Sequence, residues 1–173
     1  TNLDLVCGTT VGTNALLEHR GGRVALVTTA GFEDVLEIGR QARSYLYDLF
    51  VKKVEPLSSL RFGVKERIAA DGSIGKALNK KEIARILRKI KKAQPDSIAL
   101  CFLFSFRNAA HEKQIAAALR AKSYSVSVSH ELLPEHREYE RTSTTVINAY
   151  LAPVMSNYLR DTTLRIAALT HAH

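Results

Sequence analysis

The chain has 173 residues, 46% hydrophobic and 24% charged, proportions that exclude a disordered protein. A chain of this length buries enough surface to fold as one domain without a disulfide or metal staple. Its 25 Lys+Arg against 17 Asp+Glu leave a net charge of +8, which raises the question of a nucleic-acid or anionic-membrane partner.

From the N-terminus, Leu3, Leu5 and Val6 read as a short strand that runs into a turn of small polar residues. Ala15 to His19 read as a short helix, stopped by Gly21 and Gly22. Residues 24–29 (VALVTT) are β-branched and bounded by glycines, the pattern of a buried strand, and Gly31 precedes a helical turn carrying Phe32, Val35, Leu36 and Ile38. Residues 42–60 lack periodicity and read as a long excursion. Residues 62–69 and 74–78 flank Asp71-Gly72-Ser73 and predict a hairpin. Asn79 predicts an N-cap for a helix over 80–92, with Ile83, Ile86, Leu87 and Ile90 on one stripe. A second buried strand follows at 97–104, then an amphipathic helix at 108–122 and a strand at 125–129. Beyond Pro134, residues 139–159 read as helical with a kink or break at Pro153. This alternation predicts an α/β fold with a parallel sheet and crossover helices, one domain over 1–173, with 70–130 as a candidate subdomain and 150–173 as a C-terminal helical tail.

Two cysteines are too few for a disulfide framework. Cys101 lies in an apolar run and is expected as a buried free thiol; both cysteines fit a cytoplasmic location. The apolar run 97–106 is too short to span a bilayer, and the uncharged run 142–159 is too polar and contains Pro153, so no membrane partner is expected. No signal peptide is visible, and the absence of an initial Met hints at an excised piece.

Five features carry candidate chemistry. The segment 7–14 (CGTTVGTN) offers glycines and hydroxyls for a ligand, or is a strand-to-helix turn with Thr13 as cap. The segment 136–145 (HREYERTSTT) places four consecutive hydroxyls where a helix disfavours them; it lines a polar cleft, with Arg137 and Arg141 for an anion, or starts a helix with Arg137–Glu140 and Glu138–Arg141 pairs. His111-Glu112, His130-Glu131 and Glu135-His136 lack metalloprotease spacing and read as surface histidines, so no metal site is expected. Cys7 has no local activating group and reads as inert. Residues 76–92 hold eight basic residues against one acid, Glu82; that segment carries +7 and the remainder of the chain is near neutral. With no aromatics interleaved, this helix reads as a solvated face, and a nucleic-acid module is the lesser alternative.

Segments 7–18, 25–41, 105–112 and 129–150, in this order, resemble the hydantoinase A/5-oxoprolinase family. That family includes ATP-hydrolysing N-methylhydantoinases, 5-oxoprolinases and subunits of acetone and acetophenone carboxylases. The resemblance implies an actin-like ATPase (ribonuclease H-like) domain with a mixed sheet, here incomplete. It implies a lactam or hydantoin substrate, ATP and Mg²⁺, and a second subunit or a missing C-terminal domain as partner. It assigns Thr9, Thr10 and Asn14 to catalysis as carbonyl donors, and Thr13, Arg40, Gln41, Arg137, Arg141, Thr142, Ser143 and Thr144 to substrate or nucleotide binding. Three departures stand out. The family's Asp-x-Gly-Gly-Thr phosphate loop is absent, Cys7 stands where the family has His, and Gly12 stands where Ala is frequent. On this resemblance the chain is a fragment or truncated homologue that does not hydrolyse ATP alone. A non-catalytic remnant is the other alternative.

Overall fold

The computed structural model describes Val6 and residues 8–40 and 55–170. The expected strand over 3–6, the excursion over 42–60 except its last six residues, Cys7, Gln41 and the last three residues of the tail lie outside the described residues.

The described residues form six strands and six helices: α1 (Val11–Leu17), β1 (Val24–Thr29), α2 (Val35–Ile38), β2 (Leu60–Val64), β3 (Arg67–Ile68), β4 (Ile74–Lys76), α3 (Lys80–Ala93), β5 (Ser97–Cys101), α4 (Ala110–Arg120), β6 (Val126–Val128), α5 (Ser129–Leu132) and α6 (Glu138–Thr170). The main sheet has the order β2-β1-β5-β6, and every pair in it is parallel. The mixed sheet expected from the resemblance is therefore corrected. Each link between its strands passes through a helix, and such crossovers return the chain in the same direction. The antiparallel pairing is confined to the small β3–β4 hairpin.

Strands β1 and β5 are buried along their whole length, which is why their sequences read as unbroken apolar runs. Alternate residues face opposite layers. Ala25, Val27, Ile98 and Leu100 pack under Ile86 and Ile90 of α3 and Ile115 and Leu119 of α4. Val24, Leu26, Ala99 and Cys101 pack under Val146, Ala149 and Tyr150 of α6, with Leu16 of α1 and Leu36 of α2 alongside. Helix α6 runs antiparallel to the strands. Its Thr142 meets Cys101 at the C-terminal end of β5, and its Ala149 meets Ser97 at the N-terminal end.

Helix α1 starts at Val11, ahead of the expected Ala15, so Thr13 is interior to it and not a cap; Thr10 holds the N-cap position without a side-chain cap bond. Residues 60–64 leave the expected hairpin and pair with β1 as an edge strand. The hairpin keeps its Asp-Gly turn: Gly72 takes φ +88°, and Asp71 accepts from the Ser73 amide at 2.9 Å. Helix α3 begins at the expected cap, with Asn79 accepting from the Glu82 amide at 2.8 Å. Strand β5 ends at Cys101, three residues early, because Phe104 adopts φ +55°. Helix α6 passes through Pro153 as one element of 33 residues, about 50 Å long. Among the described residues no helix is long and apolar enough to cross a membrane.

Candidate functional site

In an open parallel sheet the ligand crevice forms at the C-terminal strand ends, where neighbouring connections leave to opposite faces. Here that place lies between β1, which continues into α2 on the α6 side, and β5, which continues into α4 on the other side. A small crevice opens there, lined by Thr28, Phe32, Val35, the strand end 101–103 and, from α6, Glu138, Arg141 and Thr142.

The backbone at Phe102 and Leu103 floors this crevice, and three elements hold it. Glu112 of α4 accepts the Phe102 amide at 2.6 Å. Arg141 of α6 donates to the Phe102 carbonyl at 2.7 Å. Thr29 of β1 accepts the Leu103 amide at 3.0 Å, and its hydroxyl donates to Glu66 at 2.5 Å. Glu66 in turn pairs with His111 at 2.6 Å. Glu112 also accepts from the Ser129 hydroxyl at 2.7 Å and pairs with His130 at 2.7 Å. Both carboxylates are fully enclosed, a placement tolerated because every oxygen has donors.

Arg141 is 1% exposed. Its terminal nitrogens donate to the Glu135 and Phe102 carbonyls, and its guanidinium packs 5.3 Å from the Phe106 ring. Its Nε has no hydrogen-bond partner, and no carboxylate pairs with it among the described residues, although Glu138 lines the same crevice. A buried cation served by two carbonyls, with the Cys101 sulfur beside it and its Nε–H unpartnered, is electrostatically suited to an anionic oxygen. Cys101 lines the crevice as a thiol, held there by burial, which raises its pKa; Thr142 donates to its sulfur at 3.2 Å.

Residues 3–123 match the family model described as the hydantoinase/oxoprolinase N-terminal region. The chain belongs to this hydantoinase/oxoprolinase family. An uncharacterised protein of Methanocaldococcus jannaschii is 48% identical over 91% of the chain and 24% of its own length. The caprolactamase subunit alpha of Pseudomonas jessenii is 40% identical over 88% of the chain and 23% of its own length. The crystal structure of the ATP-dependent caprolactamase from Pseudomonas jessenii superposes with a TM-score of 0.81 at 40% identity, covering 94% of this chain and 24% of that one. The chain thus spans about a quarter of the length of these relatives.

The residues assigned through the hydantoinase/oxoprolinase resemblance fall into two groups. Arg141 and Thr142 line the crevice. Ser143 is half-buried, and Thr144 and Arg137 are exposed nearby on the chain. Arg40 is joined to Glu140 at 2.5 Å through its Nε, and this pairing lowers the Glu140 pKa. The expected Arg137–Glu140 and Glu138–Arg141 pairs do not form among the described ion pairs. Thr9, Thr10, Thr13 and Asn14 are exposed at α1, whose Gly12 lies against Leu151 and Met155. Ten residues of α6 separate Leu151 from Arg141, so the two groups stand about 15 Å apart along that helix.

The surface reading of His111 and His130 is corrected. His111 is 2% exposed and the His130 side chain 13%, because each imidazole satisfies a buried carboxylate. The spacing of His111, Ile115 and Leu119 on one stripe of α4 is the signal that points to burial; nothing local marks Glu66. Among the described residues no three His, Cys, Asp or Glu side chains gather as a metal site.

Proposed function

We propose that this chain is the N-terminal region of an ATP-dependent enzyme that opens a lactam or cyclic imide, on an actin-like ATPase plan. The caprolactamase relative supports the substrate class, and the printed description of its structure supports the ATP dependence. The single observation that carries the reading is Arg141: a buried, carboxylate-free guanidinium with an unused Nε–H at the sheet's switch point. In this reading Arg141 holds an anionic phosphate oxygen, with the Thr28 and Thr142 hydroxyls beside it. ATP, when bound, supplies a phosphoryl group that turns the amide oxygen into a leaving group. The described residues supply no three-ligand site for Mg²⁺.

In this reading Arg40, Arg137, Ser143 and Thr144 serve the rim of the anion site, and Gln41, outside the described residues, is assigned the same binding role. Thr9, Thr10 and Asn14, with Thr13, present donors at the other end of the sheet, about 15 Å along α6 from the Arg141 crevice, where this reading places the reacting carbonyl. Exposed Leu159 and Leu164 on the distal half of α6 are the surface for further protein, a second subunit or domain.

The test is ATP hydrolysis by the protein as encoded, with any subunit that copurifies, against caprolactam, 5-oxoproline, hydantoin and acetophenone. Stimulation by a cyclic amide is expected. Stimulation only by the ketone with bicarbonate, or by nothing, overturns the reading.

A further inference from the structure

Two buried carboxylate–imidazole pairs flank the strand end 101–103, and they differ in one respect. In the first, His111 is closed at both nitrogens: Nδ1 meets Glu66 at 2.6 Å, and Nε2 accepts the Leu78 amide at 3.4 Å. In the second, Nδ1 of His130 meets Glu112 at 2.7 Å, and Nε2 makes no hydrogen bond among the described residues. The Glu112 carboxylate already accepts from the Phe102 amide, the Ser129 hydroxyl and the His130 amide. A carboxylate has no proton to give, so Nδ1 of His130 is the donor. With Nδ1 as that donor, the lone pair of the neutral tautomer lies at Nε2, on a side chain still 13% exposed.

His130 follows β6 directly and so lies on the C-terminal edge of the sheet, the edge that holds Thr28, Leu103 and Arg141. Glu112 ties the two places together. One of its oxygens holds the Phe102 amide at the crevice floor, and the other holds the imidazole. A base nitrogen left open while its partner nitrogen is fixed by a buried carboxylate is the arrangement of a proton-transfer histidine.

We propose that His130 is a proton-transfer residue of this site and that Glu112 is its positioning residue. The proposal rests on the cyclic-amide reading for its substrate. A water molecule gives its proton to Nε2 as its oxygen bonds to the amide carbon. The resulting imidazolium keeps its Nδ1 proton against Glu112. It then returns the Nε2 proton to the ring nitrogen as the C–N bond breaks, and a second water releases the phosphoryl group that ATP placed on the amide oxygen as phosphate, leaving the carboxylate. The carboxylate stabilises the transient cation without itself taking a proton.

The experiment uses the protein as encoded, with any copurifying subunit. His130→Asn keeps a donor toward Glu112 and removes the base; it is expected to keep the melting temperature and to lower kcat for amide opening about 100-fold with KM little changed. His130→Ala is expected to regain part of the lost rate in added imidazole. His111→Ala is expected to lower the melting temperature and to gain nothing from imidazole. A His130→Asn enzyme within about 3-fold of the parent kcat overturns the proposal. A second arm does not depend on turnover: diethyl pyrocarbonate, mapped by mass spectrometry, is expected to modify His130 and spare His111. A protected His130 overturns the proposal whatever the substrate. A modified His130 in a protein that opens no cyclic amide supports the open Nε2 and overturns the cyclic-amide reading instead.

Discussion

The Ser97 hydroxyl donates at 2.6 Å to the carbonyl of Ala149, the carbonyl that Pro153 leaves without its helical amide donor. One residue on, the Tyr150 carbonyl accepts from the Gly22 amide at 2.9 Å. The carbonyl that Pro153 frees is thus taken up at the N-terminal end of β5, its neighbour binds the chain just before β1, and the helix continues through the proline. Ser97 is buried, so Ser97→Ala is expected to cost about 1–3 kcal/mol by leaving an acceptor unsatisfied. In a Pro153→Ala background the helix has its own amide, and the cost of Ser97→Ala is expected to fall by more than half. Urea unfolding of the four proteins in this cycle measures the coupling. Additive effects would show that Ser97 does not serve the proline.

Most of the fold was legible because the elements that make it announce themselves locally. The runs at 24–29 and 97–101 are apolar because both faces of each strand are covered, the Asn79 cap bonds three residues on, and the stripe of Ile83, Ile86 and Ile90 marks the one covered face of α3. What escaped depends on partners far along the chain. Residues 60–64 look like half of a hairpin, yet they pair with β1, more than thirty residues away. Pro153 looks like a helix end until Ser97 and Gly22 are seen beneath it. The site divides in the same way. Arg141 and Thr142 were visible as hydroxyls and charge in an unfavourable place for both, whereas Glu66, Glu112 and the two histidines acquire meaning only where β1, α4 and α5 converge.

The one acid of the basic helix is a fixed structural part. Glu82 accepts from Arg85 at 2.5 and 2.9 Å and from the Lys65 amide at 2.8 Å, and Arg85 also donates to the Gly63 carbonyl at 2.6 Å. The Arg85 hydrogen bond is the main cause that holds the Glu82 pKa down to about 2. A depressed carboxylate stabilises the fold fully above its unfolded pKa, and that contribution is lost as pH falls through the folded one. Glu82→Gln is therefore expected to destabilise by about 1–3 kcal/mol at pH 7. The difference from the parent should shrink as pH falls from 5 towards 2, the range over which first the unfolded and then the folded carboxylate takes up its proton. Denaturant midpoints across that range check it; a constant difference would assign the effect to packing.

Gly21 has no room for a side chain. A Cβ there would lie 2.1 Å from the Tyr150 ring, and Tyr150 is buried on α6. Gly21→Ala is expected to cost about 2–3 kcal/mol through overpacking. Tyr150→Val opens the space, so the double variant is expected to be more stable than the sum of the single changes predicts. Thermal melts of the set measure the coupling. Strict additivity would mean that the chain yields at Gly21 without moving the ring.

Arg141 gives the anion reading a test that needs no turnover. Its guanidinium is buried with one N–H unused and no carboxylate partner among the described residues. Inorganic tripolyphosphate presents the same oxygens as a nucleotide tail. At about ten times its dissociation constant it should add about 1.4 kcal/mol to the folded state, a rise of roughly 3–6 °C in Tm for a chain of this size. The exposed basic residues of α3 could produce such a shift through bulk charge, so the measurement belongs at 0.15 M salt, where exposed charges are screened. There, Arg141→Met should abolish the shift, and neutralising Arg88, Lys89 and Lys92 together should leave it in place. The reverse pattern would move the anion site to the basic helix and remove the observation on which the functional reading stands.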